Sequence, residues 1–167
     1  MRNKDGEMTA RKIHVLLGLL VLSIAGGCAS APPKPAEAKM QLVAAADVNP
    51  DNKGRPSPIV VRVYQLKTEA EFAKADFFAI YDHEKEILGP SLITREEYTL
   101  EPGETEDLKF EVARDARFLG VLAAYRDPAA HWRAMSPAPE KGLADLVKKD
   151  RLTVTLGKNA VTLAIKD

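Results

Sequence analysis

The hydrophobic positions of the chain fall into three regimes. Ile13 to Ala25 is an unbroken apolar run of about 13 residues behind Arg2, Lys4, Arg11 and Lys12. That is the length of a signal-peptide core and short of the ~20 residues that cross ~30 Å of hydrocarbon. Ala29 to Ala38 is rich in Pro and Ala and has no apolar period, which describes a semi-extended tether at ~3 Å per residue. From residue 39 onward short apolar runs are divided by turn chemistry, and most of them alternate with a period of two.

Those runs predict the elements. Met40 to Ala46 is a first strand. Asn49 to Pro58 is an exposed loop, because its prolines cannot sit inside a central strand. Ile59 to Leu66 is rich in β-branched residues and reads as a strand. The period then becomes helical. Thr68 and Glu71 have capping-box spacing, and Phe77, Ile80, Tyr81 and Leu88 share one helical face. Asp76 is a second cap, so the segment is one bent helix or two short ones, ended by Gly89-Pro90. Phe72, Phe77, Phe78 and Tyr81 are expected to pack onto a sheet. Strands follow at Leu92 to Leu100, through Leu108, Phe110 and Val112, at Phe118 to Tyr125, and at the short edge His131 to Met135. Glu101 to Glu104 is a turn, and Ser136 to Gly142 a loop. Leu152, Val154 and Leu156 pair with Val161, Leu163 and Ile165 as a hairpin across Gly157-Lys158-Asn159. Seven or eight strands make an all-β, two-sheet β-sandwich with a helical insertion at about 68–88.

Charge and cysteine usage narrow the function. Lys and Arg number 24 and Asp and Glu 24, and the segment after residue 27 is slightly acidic. No broad basic field exists for a nucleic acid. The single cysteine, Cys28, excludes an internal disulfide and follows Ala25-Gly26-Gly27. Small residues before a lone cysteine at the end of a signal sequence form a lipobox. The thiol accepts a diacylglyceryl group, and cleavage frees the amine for another acyl chain. One chain holds a protein reversibly, at ~0.8 kcal/mol per buried CH₂, whereas three make a lasting anchor. Ala29, where an aspartate would retain a lipoprotein at the inner membrane, favours passage to the outer one. The expected organisation is a signal peptide at 1–27, a lipidated Cys28 with flexible tether at 28–38, and a folded domain at 39–167. Met1 or Met8 is the start, since Met8 keeps Arg11 and Lys12 beside the apolar run.

Catalytic and metal motifs are sparse. His83 and His131 follow the signal region, with no second thiol beside Cys28, so a histidine–cysteine metal site has too few ligands. No Gly-x-Ser-x-Gly elbow, complete P-loop or Asp-x-Asp calcium loop is present. Glu96-Glu97 and Glu104 with Glu106-Asp107 read as solvated edges and turns. The weight moves to binding, with no cofactor and no catalysis expected. The long polar loop stiffened by proline becomes the segment of interest.

A series of short signatures, in order behind the lipobox, carries a family resemblance. They are Asn49-Pro50-Asp51 with Gly54-Arg55-Pro56-Ser57-Pro58, Val61 to Leu66, Ala75-Asp76-Phe77-Phe78 with Tyr81, Leu100 to Gly103, Gly120 to Arg126, and Trp132-Arg133. Together they resemble the TssJ (VasD/Lip) lipoproteins of the type VI secretion system. The resemblance implies a transthyretin-like sandwich and an outer-membrane lipoprotein that binds the periplasmic C-terminal region of TssM. It implies partner contacts along the loop between the first two strands, here Asn49, Pro50, Asp51, Asn52, Lys53, Gly54, Arg55, Pro56 and Ser57. Two other readings stand beside it: a lipid-anchored periplasmic small-molecule binder or hydrolase, which needs a cleft gathering His131, Arg126 and carboxylates, and a lipoprotein of a related envelope assembly, such as a pilotin.

Overall fold

A computed structural model describes residues 36–137 and 151–166. The signal segment, Cys28, most of the tether and the loop expected at 138–142 lie outside these residues.

Eight strands form two four-stranded sheets. They are β1 (Ala36–Ala44), β2 (Ile59–Leu66), β3 (Leu92–Leu100), β4 (Thr105–Val112), β5 (Phe118–Ala123), β6 (Arg133–Pro137), β7 (Arg151–Leu156) and β8 (Val161–Lys166). Sheet 1 has the order β4-β1-β7-β8 and sheet 2 the order β3-β2-β5-β6. All pairings are antiparallel except β1 with β7.

Several boundaries differ from the sequence reading. β1 opens at Ala36, inside the expected tether, and ends at Ala44, because residues 36–43 pair with β4. A Pro/Ala composition therefore did not stop the chain from entering the sheet. The Phe118 strand ends at Ala123. The edge strand runs from Arg133 to Pro137, so Ser136 belongs to it and not to a loop, while His131 makes an isolated bridge with Ala160.

The main core lies between the sheets. Met40, Leu42 and Val154 from sheet 1 face Ile59, Val61, Val63, Leu119 and Val121 from sheet 2. Gln65 clamps the layers: its Nε2 donates to the Glu111 carbonyl at 2.7 Å, and its Oε1 accepts from the Ala113 N–H at 2.8 Å. Both bonds satisfy an amide that is 2% exposed, as burial requires. The cavity lined by Met40, Val63, Gln65, Leu108 and Phe110 holds about 10 Å³, the room of one water.

The other face of sheet 2 carries the insertion. It comprises α1 (Ala70–Lys74), α2 (Phe77–Leu88) and a 3₁₀ turn (Gly89–Ser91). Tyr64, Leu66, Phe72, Ile80, Leu88 and Leu122 form a second core there. Gly120 makes the fit: a Cβ at that position would lie 3.0 Å from the Phe72 ring. Asp76 caps α2 by accepting from the Ala79 N–H at 2.9 Å. Thr68 does not cap α1. Its hydroxyl donates to the Glu71 carboxylate at 2.9 Å, while the N-cap position is Glu69. The neck of the insertion is closed by the Lys67 N–H donating to the Ser91 carbonyl at 2.8 Å. Of the four aromatics expected against the sheet, Phe72 is buried and Phe77 and Tyr81 half-buried, but Phe78 points outward.

Beneath α2 lies a charge network that alternation along β2 does not reveal. Arg62 donates to the Glu97 carboxylate at 2.7 Å and to the Tyr81 carbonyl at 2.6 Å, and its guanidinium sits 4.1 Å from the Tyr81 ring centroid. Glu84 accepts from the Tyr64 hydroxyl and from Arg95, each at 3.0 Å. The helix bends at His83, two residues past the carbonyl that Arg62 takes; a side chain entering the backbone ladder is a known cause of such a bend. Burial, followed by the negative charge of Glu84, pushes the Tyr64 hydroxyl well above its ordinary pKa. Glu97 is thus an ion-pair partner as well as the exposed residue of an edge strand that the sequence suggests.

Candidate partner-binding site

Four connections meet where β1 and β7 finish: the β1–β2 loop (residues 45–58), the β3–β4 turn (101–104), the β5–β6 segment (124–132) and the β7–β8 turn (157–160). Backbone bonds make them one apex. The Ala45 N–H donates to Leu156 at 2.8 Å, Gly103 to Ala45 at 3.2 Å, and His131 to Asn159 at 2.9 Å. The Tyr125 hydroxyl reaches the Gly157 carbonyl at 3.1 Å, and burial raises its pKa.

Asn49 is the node of this apex. It is 3% exposed. Its Nδ2 donates to the Pro58 carbonyl at 2.7 Å, its Oδ1 accepts from the Arg126 N–H at 2.8 Å, and its own N–H donates to Lys158 at 3.2 Å. One residue thus ties the start of the loop to its return and to two neighbouring connections, the second of these through its backbone N–H. The backbone φ is +47°. Asparagine is one of the few non-glycine residues that tolerates this region, since its short amide can bond locally.

The tip is a separate, self-contained turn. Asp51 Oδ1 accepts from the N–H groups of Lys53 at 2.8 Å and Arg55 at 3.0 Å, and Oδ2 takes the Arg55 guanidinium at 2.6 and 2.7 Å. The Asp51 N–H donates to the Arg55 carbonyl, and Gly54 turns the chain at φ +76°. These bonds from Arg55, side chain first and then backbone, hold the Asp51 carboxyl down at about 2 against its ordinary 3.8.

The nine loop residues singled out by the sequence therefore divide into two groups. Asn49 and Ser57 are buried, and Pro50 and Asp51 half-buried. Ser57 faces inward, its N–H donating to Val48 and its hydroxyl to Arg55. Asn52, Lys53, Gly54, Arg55 and Pro56 are exposed and form the surface that a partner can touch. Cys28 lies outside the described residues. The sequence reading missed the role of Asn49, whose one visible signal is a turn-forming residue directly after the apolar Val48. His131 and Arg126, the residues a hydrolytic site would gather, are both exposed at the apex, where each is fixed through its backbone.

Comparison with known proteins agrees with this architecture. Residues 36–159 match the family model T6SS-SciN, described as type VI secretion lipoprotein (VasD, EvfM, TssJ). No curated protein sequence matches the chain. Among solved structures, the T6SS lipoprotein TssJ1 from Pseudomonas aeruginosa is 32% identical with a TM-score of 0.71, covering 80% of this chain and 98% of that one. Lip of Serratia marcescens, a membrane-bound component of the type VI secretion system, is 30% identical with a TM-score of 0.68 and the same coverage. A chain of a type VI membrane complex is 25% identical with a TM-score of 0.68, covering 78% of this chain and 99% of that one. With its transthyretin-like sandwich, its helical insertion and a match across most of its length, this chain belongs to the type VI secretion lipoprotein family that includes VasD, EvfM and TssJ.

Proposed function

We propose that the chain anchors the type VI membrane complex at the outer membrane by binding the periplasmic C-terminal region of TssM, with acyl chains on Cys28 holding it on the periplasmic face. Membership of a lipoprotein family and the lipobox pattern support the anchor. The observation that carries the binding role is the apex: an exposed, internally bonded tip mounted on the buried Asn49. A loop fixed in this way loses little conformational freedom on docking, and that preorganisation favours affinity.

The path of β1 is consistent with separate anchoring and docking ends. β1 starts at Ala36, on the tether side, and delivers the chain to the β1–β2 loop at its other end. Nine residues at ~3.3 Å each place about 30 Å between the entry of the tether and the docking loop. The role is positional: the cavity between the sheets holds about 10 Å³, and the open hollow of about 450 Å³ beside α2 is lined by Arg62, Glu84 and Arg95, whose charges are paired with one another.

Two experiments test the reading. Cys28→Ser should abolish the acyl label and secretion while TssM binding persists in detergent extracts; full secretion by an unacylated chain refutes the anchor. Deleting Asp51 to Arg55 should weaken co-purification with TssM while thermal unfolding changes by only a few degrees. Undiminished co-purification would move the interface elsewhere.

A further inference from the structure

The exposed tip is small. Five exposed residues fall well short of the ~20–30 residues a side that a stable interface engages, so the partner proposed above must touch more than the loop. The direction of that extension can be read from the surface. Among the described residues, Phe78 is the large hydrophobic side chain that stands out of the fold, at 68% exposure. Its ring does not float. It stands edge-on to Phe77 with centroids 5.2 Å apart, and Phe77 is itself wedged between Tyr81, stacked at 5.2 Å, and Trp132, edge-on at 5.4 Å. Arg133 lies 4.8 Å over the Trp132 ring and donates to the Phe72 and Ala75 carbonyls at 3.0 and 2.8 Å. The patch is thus rigid before any partner arrives.

It is also continuous with the apex. Trp132 ends the β5–β6 segment, and the same segment carries Arg126, whose N–H is held by Asn49. The node that mounts the docking loop therefore also fixes the strip leading to the aromatic patch. In the other directions the apex presents polar chain: the turn Glu101 to Glu104 and the turn Gly157 to Asn159. Aromatic anchors set in a rigid surround, flanked by polar contacts, are the usual centres of binding energy in protein interfaces.

We infer that Phe78, backed by Phe77 and Trp132, is the apolar anchor of the interface whose polar part is the β1–β2 loop. Its occupant is the same periplasmic protein that docks on the loop, presenting an apolar side chain to the Phe78 ring. The inference rests on the loop reading given above, and its test separates the two.

The full chain, extracted in detergent, is titrated with the purified TssM periplasmic region as wild type, as Phe78→Ser, and with Asp51 to Arg55 deleted. The exposed ring leaves unfolding nearly unchanged on substitution, so affinity is read without loss of fold. Phe78→Ser should raise Kd about tenfold or more, the size expected of an anchor residue, and Phe78→Leu should recover most of it. If the loop deletion weakens binding and Phe78→Ser does not, the anchor is disproved and the loop reading stands. If Phe78→Ser weakens binding and the deletion does not, the loop reading fails and the shared interface with it. If Phe78→Ser instead breaks a self-associated form seen in sedimentation, with TssM affinity unmoved, the patch belongs to a second copy of the chain and the inference is overturned.

Discussion

Sheets 1 and 2 have the same number of strands, yet they solve different burial problems. Sheet 1 turns one face to the core and the other to water, so β4 alternates between exposed Lys109 and Glu111 and buried Phe110 and Val112. The central strands of sheet 2 are covered on both faces: β2 is buried at every position but Val60 and β5 at every position but Phe118, while the edge strand β3 keeps Thr94, Arg95, Glu97 and Thr99 exposed. The difference comes from a 24-residue insertion between β2 and β3, residues 68–91, that lays a second core on the outer face. A strand buried on both sides loses its period of two, and a polar residue on the covered side must find partners there. Arg62 does so, and the helix bends where its guanidinium takes a backbone carbonyl.

This contrast orders the expected effects of substitution, each read by denaturant unfolding. Phe72→Ala, which empties the centre of the second core, should cost about 3–5 kcal/mol. A loss below 1 kcal/mol would mean that the helices contribute little to the stability of sheet 2. Arg62→Ala leaves Glu84, Glu97 and the Tyr81 carbonyl short of a donor and should cost about 2–3 kcal/mol. At the apex, Asn49→Ala removes two side-chain bonds and places alanine at a positive φ, a loss of about 2 kcal/mol. The same variant should accelerate amide exchange at Arg126. On the open face of sheet 1, Lys109→Thr should stay within about 0.5 kcal/mol; a larger loss would show that this face is not simply solvated.

The smallest effect on global stability concerns Asp51. Its folded-state pKa is depressed, so the fold favours the charged form. That contribution is complete above the ordinary value of 3.8 and disappears as pH falls through about 2. A carbon-detected titration should therefore give Asp51 a midpoint near 2, and Arg55→Ala should return it toward 3.8. A wild-type midpoint at the ordinary value would mean that the tip is not closed by this pair.

The same contrast explains what the sequence made legible. β2 and β3 were found to the residue because β-branched and turn residues bound them sharply, and the hairpin of β7 and β8 followed from plain alternation around Gly157-Lys158-Asn159. The start of β1 was missed because a Pro/Ala composition signals a tether, whereas pairing with β4 decides the outcome. Phe78 was misplaced because its aromatic character was read as a sign of burial, although the helical stripe of Phe77, Ile80, Tyr81 and Leu88 leaves it out and it stands exposed. Arg62 and Asn49 were invisible as structural residues, since their partners lie 35 and 77 positions away in the chain. The candidate loop was legible as a segment. Its division into a buried base and an exposed tip was not, because that depends on where Pro58, Arg126 and Lys158 are brought by the fold.

The most direct test of the account is hydrogen exchange on the full chain in detergent, with and without the TssM periplasmic region. The account predicts slowed exchange at residues 51–56 and 124–132, with no change along β4 on the open face of sheet 1. Slowed exchange along β4 with an unaltered apex would contradict it.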